Sequence, residues 1–142
     1  MYAPHTVTVY SAIEDQVTFE VTRHITILRG VFMDASKASN VRSSGLEGAD
    51  SVNLFIPFSV DAVDGQSLFD KSYVSPKIFE AAADKSRFWT LRVGDFFVKG
   101  EIVGDKDQSF MEANYDDVYR ITKVDMKDFG SESMRHFEVG GA

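Results

Sequence analysis

Apolar and polar side chains alternate with a period of two along much of this chain. From Val17 the odd positions read Val17, Phe19, Val21, Arg23, Ile25, Ile27, Arg29 and Val31, with Thr18, Glu20, Thr22, His24 and Thr26 between them. Successive side chains of a strand point to opposite faces, so the pattern predicts a strand with one apolar and one wet face. Arg23 and Arg29 interrupt the apolar face. Either the strand bends or runs past the core edge, where an arginine stem can lie on apolar surface, or the two arginines face a neighbouring subunit. A second strand is predicted over 50–60, where Val52, Leu54, Ile56, Phe58 and Val60 share a face. Pro57 has no N–H to give a ladder, so this stretch is expected at an edge or with a bulge. Pro57 therefore joins Arg23 and Arg29 as a candidate subunit contact.

Further strands are predicted at His5–Ser11, Phe96–Ile102, Val118–Val124 and Met134–Val139, with a short one at Phe88–Leu91. Gly94-Asp95 has the composition of a turn leading into Phe96. Helix is scarce. Pro76 suits a first helical turn, Ser75 is the candidate N-cap, and Lys77–Ala83 has helical propensity; a second helical turn is expected near Ser109–Asn114. Two long, polar connections separate the strands: 34–50, DASKASNVRSSGLEGAD, and 61–72, DAVDGQSLFDKS. Loops of this length without structure of their own tend to be functional or disordered. The fold expected is mainly β, one domain over 1–142, a small β-barrel or sandwich with one or two short helices and two long loops.

Composition narrows the function classes. The chain has 142 residues, 44% of them apolar, and a net charge of −7, which suits one globular domain with its own core. Charge is spread evenly, −4 over residues 1–71 and −3 over 72–142, so no basic arm is available for duplex DNA. Cysteine is absent, which removes disulfides, thiolate metal sites and thiol nucleophiles. No apolar run approaches the roughly 20 residues of a membrane span, and the start, MYAPHTVTVY, lacks a secretory signal's layout. A soluble protein folded in a cytoplasm, with no membrane partner, is the expectation.

Candidate chemistry is sparse. The chain carries no GxSxG elbow, phosphate-binding loop or HExxH pair. His5, His24 and His136 have no carboxylate at helical ligand spacing and are expected on solvent or subunit faces. Asp105–Glu112 imitates the start of a calcium loop. It then places Phe110 where glycine is needed and Asp116 at the twelfth position, so a solvated acidic loop is the better reading. Glu14 and Asp15 read as a turn between strands. The aromatic set Phe88, Trp89, Phe96, Phe97, Tyr115, Tyr119, Phe129 and Phe137 could stack bases. Acidic neighbours at Asp95, Asp116, Asp117 and Asp128 favour core and interface packing instead. No catalytic residue, cofactor or metal is expected, and the chain reads as a non-enzyme.

Three segments carry a resemblance: GVFMDASKASNVRSSGLEGADSVNLFIPF (Gly30–Phe58), FWTLRVGDFFVKGEI (Phe88–Ile102) and DVYRITKVDMKDFGSESMRHFEVGG (Asp117–Gly141). Through them the chain resembles, over nearly its whole length, a family of small, functionally uncharacterised proteins from phages and prophages of Firmicutes. More loosely, Gly94-Asp95, Tyr119–Val124 and Arg135–Val139 are similar to the closing strands of phage head-closure, or stopper, proteins. That resemblance implies a head–tail connector: a virion structural protein of the neck, assembled in the bacterial host cytoplasm. It would form a ring homo-oligomer, sixfold or twelvefold, between a portal or adaptor protein and a tail-terminator or tail tube protein. DNA would pass through its channel without sequence-specific binding, and the acidic balance would keep phosphates from sticking. The resemblance also implies a long loop that projects into the channel. The 34–50 connection is the candidate, with Ser36, Lys37, Asn40, Arg42, Ser43, Ser44, Gly45 and Leu46 as channel or partner residues.

Two alternatives stand beside this expectation. A tail terminator or minor tail protein would use a similar small β-rich ring. A small soluble ligand-binding or regulatory β-domain would need a pocket with convergent polar groups.

Overall fold

The structure is a computed structural model that describes residues 3–36, 41–42, 45–46, 51–65, 67–102, 108–115, 117–131 and 134–142. Its elements in chain order are β1 (His5–Glu14), β2 (Val21–Ser36), β3 (Val41–Arg42), β4 (Gly45–Leu46), β5 (Ser51–Pro57), β6 (Asp61–Asp64) and β7 (Ser72–Tyr73). They continue with α1 (Pro76–Ala81), β8 (Phe88–Trp89), β9 (Phe96–Lys99), α2 (Gln108–Asn114), β10 (Val118–Lys127) and β11 (His136–Gly141). The main sheet runs β1-β9-β10-β11-β5-β2, and β2 pairs back onto β1, so the antiparallel order closes into a barrel-like ring with β6 added along β2. The fold is mainly β with two short helices, as the alternation predicts.

Two apolar layers hold it. Inside the ring, Val7, Val9, Leu28, Leu54, Ile56, Phe97, Ile121 and Val139 form one buried cluster with Trp89 and Phe137. Outside it, Tyr10, Ile25, Phe96 and Val98 are buried together with Met111 of α2. Tyr10 and Phe96 stack there, with centroids 4.6 Å apart and planes at 7°. Strands β1 and β9 are therefore covered on both faces. Thr8, enclosed by this double burial on β1, donates its hydroxyl to the Gly100 carbonyl (2.8 Å) and accepts from the Ile102 amide (3.0 Å).

A single glycine explains the interrupted pattern of β2. Thr6 pairs with Arg29 and His5 with Val31, leaving Gly30 as an unopposed bulge residue at φ +90°. Such a bulge re-phases the strand. Leu28 faces the interior before it, and Val31 and Met33 after it. Ile25 belongs to the outer layer, and Arg29 leaves the apolar set altogether.

Several expectations are corrected. Val17 and Phe19 do not open the β2 strand; they lie in the β1–β2 turn, and the strand begins at Val21. The 50–60 stretch is not an edge. β5 lies between β11 and β2, with Val52, Leu54 and Ile56 buried. Pro57 is tolerated because it is the last residue of β5, beyond the final β2 pair at Phe32–Phe55. The Phe58 amide bonds toward β11 at Arg135, so alternation turns the Pro57 nitrogen to the side that β2 has already left. The 61–72 connection is not all loop. Asp61–Asp64 pairs with Thr26–Arg29, and Ala62 and Val63 are buried. Helix α1 starts at Pro76 as predicted, but the Ser75 side chain makes no capping bond; Phe79, fully buried, anchors the helix instead.

Candidate interaction surfaces

The β1–β2 turn is built by Asp15. Its carboxylate accepts the Val17 and Thr18 amides at 2.8 and 3.0 Å, and these bonds, Thr18 first, hold its pKa below the ordinary aspartate value. The Asp15 carbonyl accepts the Phe19 amide at 2.9 Å, and the Asp15 amide donates to Glu20 at 2.8 Å. This tight loop holds Phe19 at φ +59°, a backbone region where bulky residues are uncommon. Its effect is to turn apolar side chains outward: Val17 is 84% exposed, Phe19 72% and Val21 52%, with Glu14, Asp15 and Glu20 beside them.

At a second place an aromatic cleft of about 410 Å³ is lined by Phe58, Val60, Tyr73, Trp89, Met126 and Phe137. Its rings pack mainly on one another, Phe58 on Phe137 at 4.8 Å, Tyr73 on Phe137 at 4.5 Å and Tyr73 on Trp89 at 5.1 Å. Met126, half exposed, and Phe58 form the part that meets solvent.

The proposed contact residues separate. Arg29 forms ion pairs with Glu101 and, at 3.7 Å, with Asp61, which ties β2 to the segments on either side. Arg23 is half-buried and borders a small cavity with His24, Asp64, Lys71 and Ser86. Asp34–Ser36, expected at the start of the 34–50 loop, instead continue β2 along β5, and Ser36 closes that ladder opposite Ser51. Within the 34–50 stretch Val41 pairs with Leu46 and Arg42 with Gly45. Lys37, Asn40, Ser43 and Ser44 lie outside the described residues, as do residues 105–107 of the calcium-like Asp105–Glu112 stretch.

The histidines are more engaged within the chain than alternation suggests. His5 Nδ1 accepts the Met33 amide at 3.0 Å. His136 Nε2 lies 3.1 Å from Glu138. The His24 ring meets Phe79 edge-on at 5.4 Å. Burial, and then the positive charges of Lys71, Lys85 and Arg92, hold its pKa below the ordinary histidine value.

Sequence reasoning missed Lys71. Its side chain is 1% exposed, and its ammonium donates to the Ile25 carbonyl (3.0 Å) and the Thr26 hydroxyl (3.2 Å), with Asp64 at 3.5 Å. Desolvation dominates and lowers its pKa. This ammonium clips β6 to β2, and no local pattern around Phe69-Asp70-Lys71 marks a buried lysine. Arg92 similarly joins Asp95, Glu80 of α1 and the Ala12 carbonyl. Among the described residues no group of three or more His, Asp or Glu side chains could hold a metal ion, and no helix is long and apolar enough to cross a membrane.

A barrel-like, mainly antiparallel β-domain with exposed apolar side chains at one hairpin tip is thus the class defined by the geometry. Residues 2–142 match the profile of DUF6751, a family of unknown function, and the chain belongs to that family. No curated protein sequence and no solved structure matches it.

Proposed function

We propose that this protein is a structural component of a tailed-phage neck, a head–tail connector that assembles as a ring between portal or adaptor and tail. The carrying observation is the β1–β2 tip. Two large apolar side chains, Val17 and Phe19, stand exposed on a loop tied by four hydrogen bonds, with Val21 exposed where β2 begins, and such side chains on a held loop favour contact with another macromolecule. The neighbouring carboxylates add a preference for an apolar groove with a basic rim. The segment resemblance supplies the setting, and the connection after Ser36, whose base is the Ser36–Ser51 pair, is a second candidate segment for a channel or neighbour. The tail-terminator reading uses the same tip and differs in position within the particle. The ligand-binding reading would use the aromatic cleft, whose volume lies within the usual range for small-molecule sites.

The test replaces Val17 and Phe19 together by serine. Because both are exposed, the thermal midpoint should stay within a few degrees of the parent, while incorporation into particles and head–tail joining are lost. Normal joining with an incorporated double variant would exclude the tip as the contact. Deleting 36–48 tests the other segment: the barrel should still fold, and joining should fail.

A further inference from the structure

Strand β9 pairs with β10 only across Val118–Arg120, and bonds from Gly94 and Asp95 extend that side as far as Ile121. From Thr122 to Lys127, the ladder partner of β10 among the described residues is β11 alone. Reciprocal bonds between Arg120 and Ala142, followed by the bulge between Ile121 and Lys123, set the alternation beyond that point. The backbone groups of Lys123, Asp125 and Lys127 turn to β11, and those of Val124 and Met126 turn outward. An outward row of this kind is a template for another strand.

The side chains on this edge discriminate among strands that could add to it. Lys123 and Asp125 lie on one face, 3.2 Å apart and 63% and 40% exposed. Lysine on an edge normally guards it against pairing, because a neutral or basic strand offers it no counter-charge. The same edge of a second copy does. With two copies antiparallel and Val124 opposite Val124, each Lys123 faces the other copy's Asp125, twice over, and Thr122 faces Met126. Val124 sits at a hydrogen-bonded position in this register, while the Lys–Asp pairs fall at the closer non-hydrogen-bonded positions. Centring on Asp125 instead sets Asp125 against Asp125 and Lys123 against Lys127, both repulsive. Centring on Met126 would also match Asp125 with Lys127, but it sets Val124 against Asp128, beyond the end of β10 at Lys127; the Val124-centred register matches the charges within the strand.

We propose that the β10 edge, Thr122–Lys127, is an interaction surface for the same edge of a second copy, paired about a two-fold axis through Val124. The contact is isologous, so it joins copies in pairs and does not itself close a sixfold or twelvefold ring. It is a property of the free chain and does not depend on the neck reading.

The absence of cysteine makes the test clean. Val124→Cys should give a disulfide-linked dimer on mild oxidation, since paired strand positions fall within disulfide reach. Ala83→Cys, exposed on the α1–β8 connection, should not. In sedimentation equilibrium, Lys123→Asp should weaken the dimer on the order of tenfold. Lys123→Asp combined with Asp125→Lys should restore it, because the exchanged charges match again in the same register. A monomeric parent chain, a dimer indifferent to Lys123→Asp, failure of the exchange to rescue, or equal cross-linking of the two cysteine variants would each overturn the pairing. A free dimer that never enters particles counts against the neck reading alone. A particle-bound chain that is monomeric when free counts against the pairing alone.

Discussion

Replacing Lys71 by methionine tests how the barrel retains β6. The substitution keeps most of the apolar stem and removes the ammonium. It takes the cation away from the Thr26 hydroxyl and from the Asp64 carboxylate, which keeps the Ser67 amide at 2.8 Å, while the Ile25 carbonyl keeps the Gly65 amide at 3.0 Å. Breaking a buried pair from one side costs about 3–5 kcal/mol when the remaining charge is fully enclosed. Asp64 is 19% exposed and partly rehydrates, so we expect a loss of about 2–3 kcal/mol. Adding Asp64→Asn removes the carboxylate charge that no longer faces a cation and should recover about half of that loss. The assay is urea unfolding at pH 7, followed by the fluorescence of Trp89, the one tryptophan, which is 4% exposed in the inner core. The sign with pH is also fixed. Lys71 has a lowered folded pKa, so the penalty for its charge is full below that value. Its contribution to stability then rises as pH climbs from there toward the unfolded lysine value of about 10.4. If Lys71→Met proved as stable as the parent, or if Asp64→Asn deepened the loss, the clip would not be what retains β6.

Other positions give independent readings. Trp89→Ala should cost about 3–5 kcal/mol in chemical unfolding, followed by circular dichroism, because the indole packs between Tyr73 and Phe137 in the core. Gly65→Ala should destabilise by about 1–3 kcal/mol, since a Cβ there would lie 2.3 Å from Ile25 Cγ2; an unchanged urea midpoint would show that β6 can shift. His24 has a folded pKa below its unfolded value, so stability should fall as pH drops from about 6.5 toward the folded pKa. His24→Gln should flatten that slope in thermal melts taken across it, and an unaltered slope would place the titration elsewhere.

How far the sequence carries depends on the range over which each feature is set. Strands His5–Glu14, Ser51–Pro57 and Val118–Lys127, both helices and the Gly94 turn, at φ +98°, are legible because local alternation, proline and glycine determine them. The phase of β2 is not, since period-two counting runs straight through Gly30 and joins Ile25 to Val31 on one face. β6 is hidden because Asp61-Ala62-Val63-Asp64 is short and flanked by turn residues, and only its fit against Thr26–Arg29 makes it a strand. Ring closure, the Lys71 clip and the interior place of β5 arise from long-range pairing. At the candidate surfaces, the odd-position series contained Val17 and Phe19, but alternation assigned them to a core face. The Asp15 turn, which reverses that assignment, is a matter of loop geometry.

The most direct test of the central claim is the density of the particle neck with this chain located in it. A connector role predicts a sixfold or twelvefold ring of the chain between portal and tail, with the Val17–Phe19 tip buried against a neighbouring subunit or protein. Particles whose neck contains no copy of the chain, yet which join heads to tails normally, would contradict it.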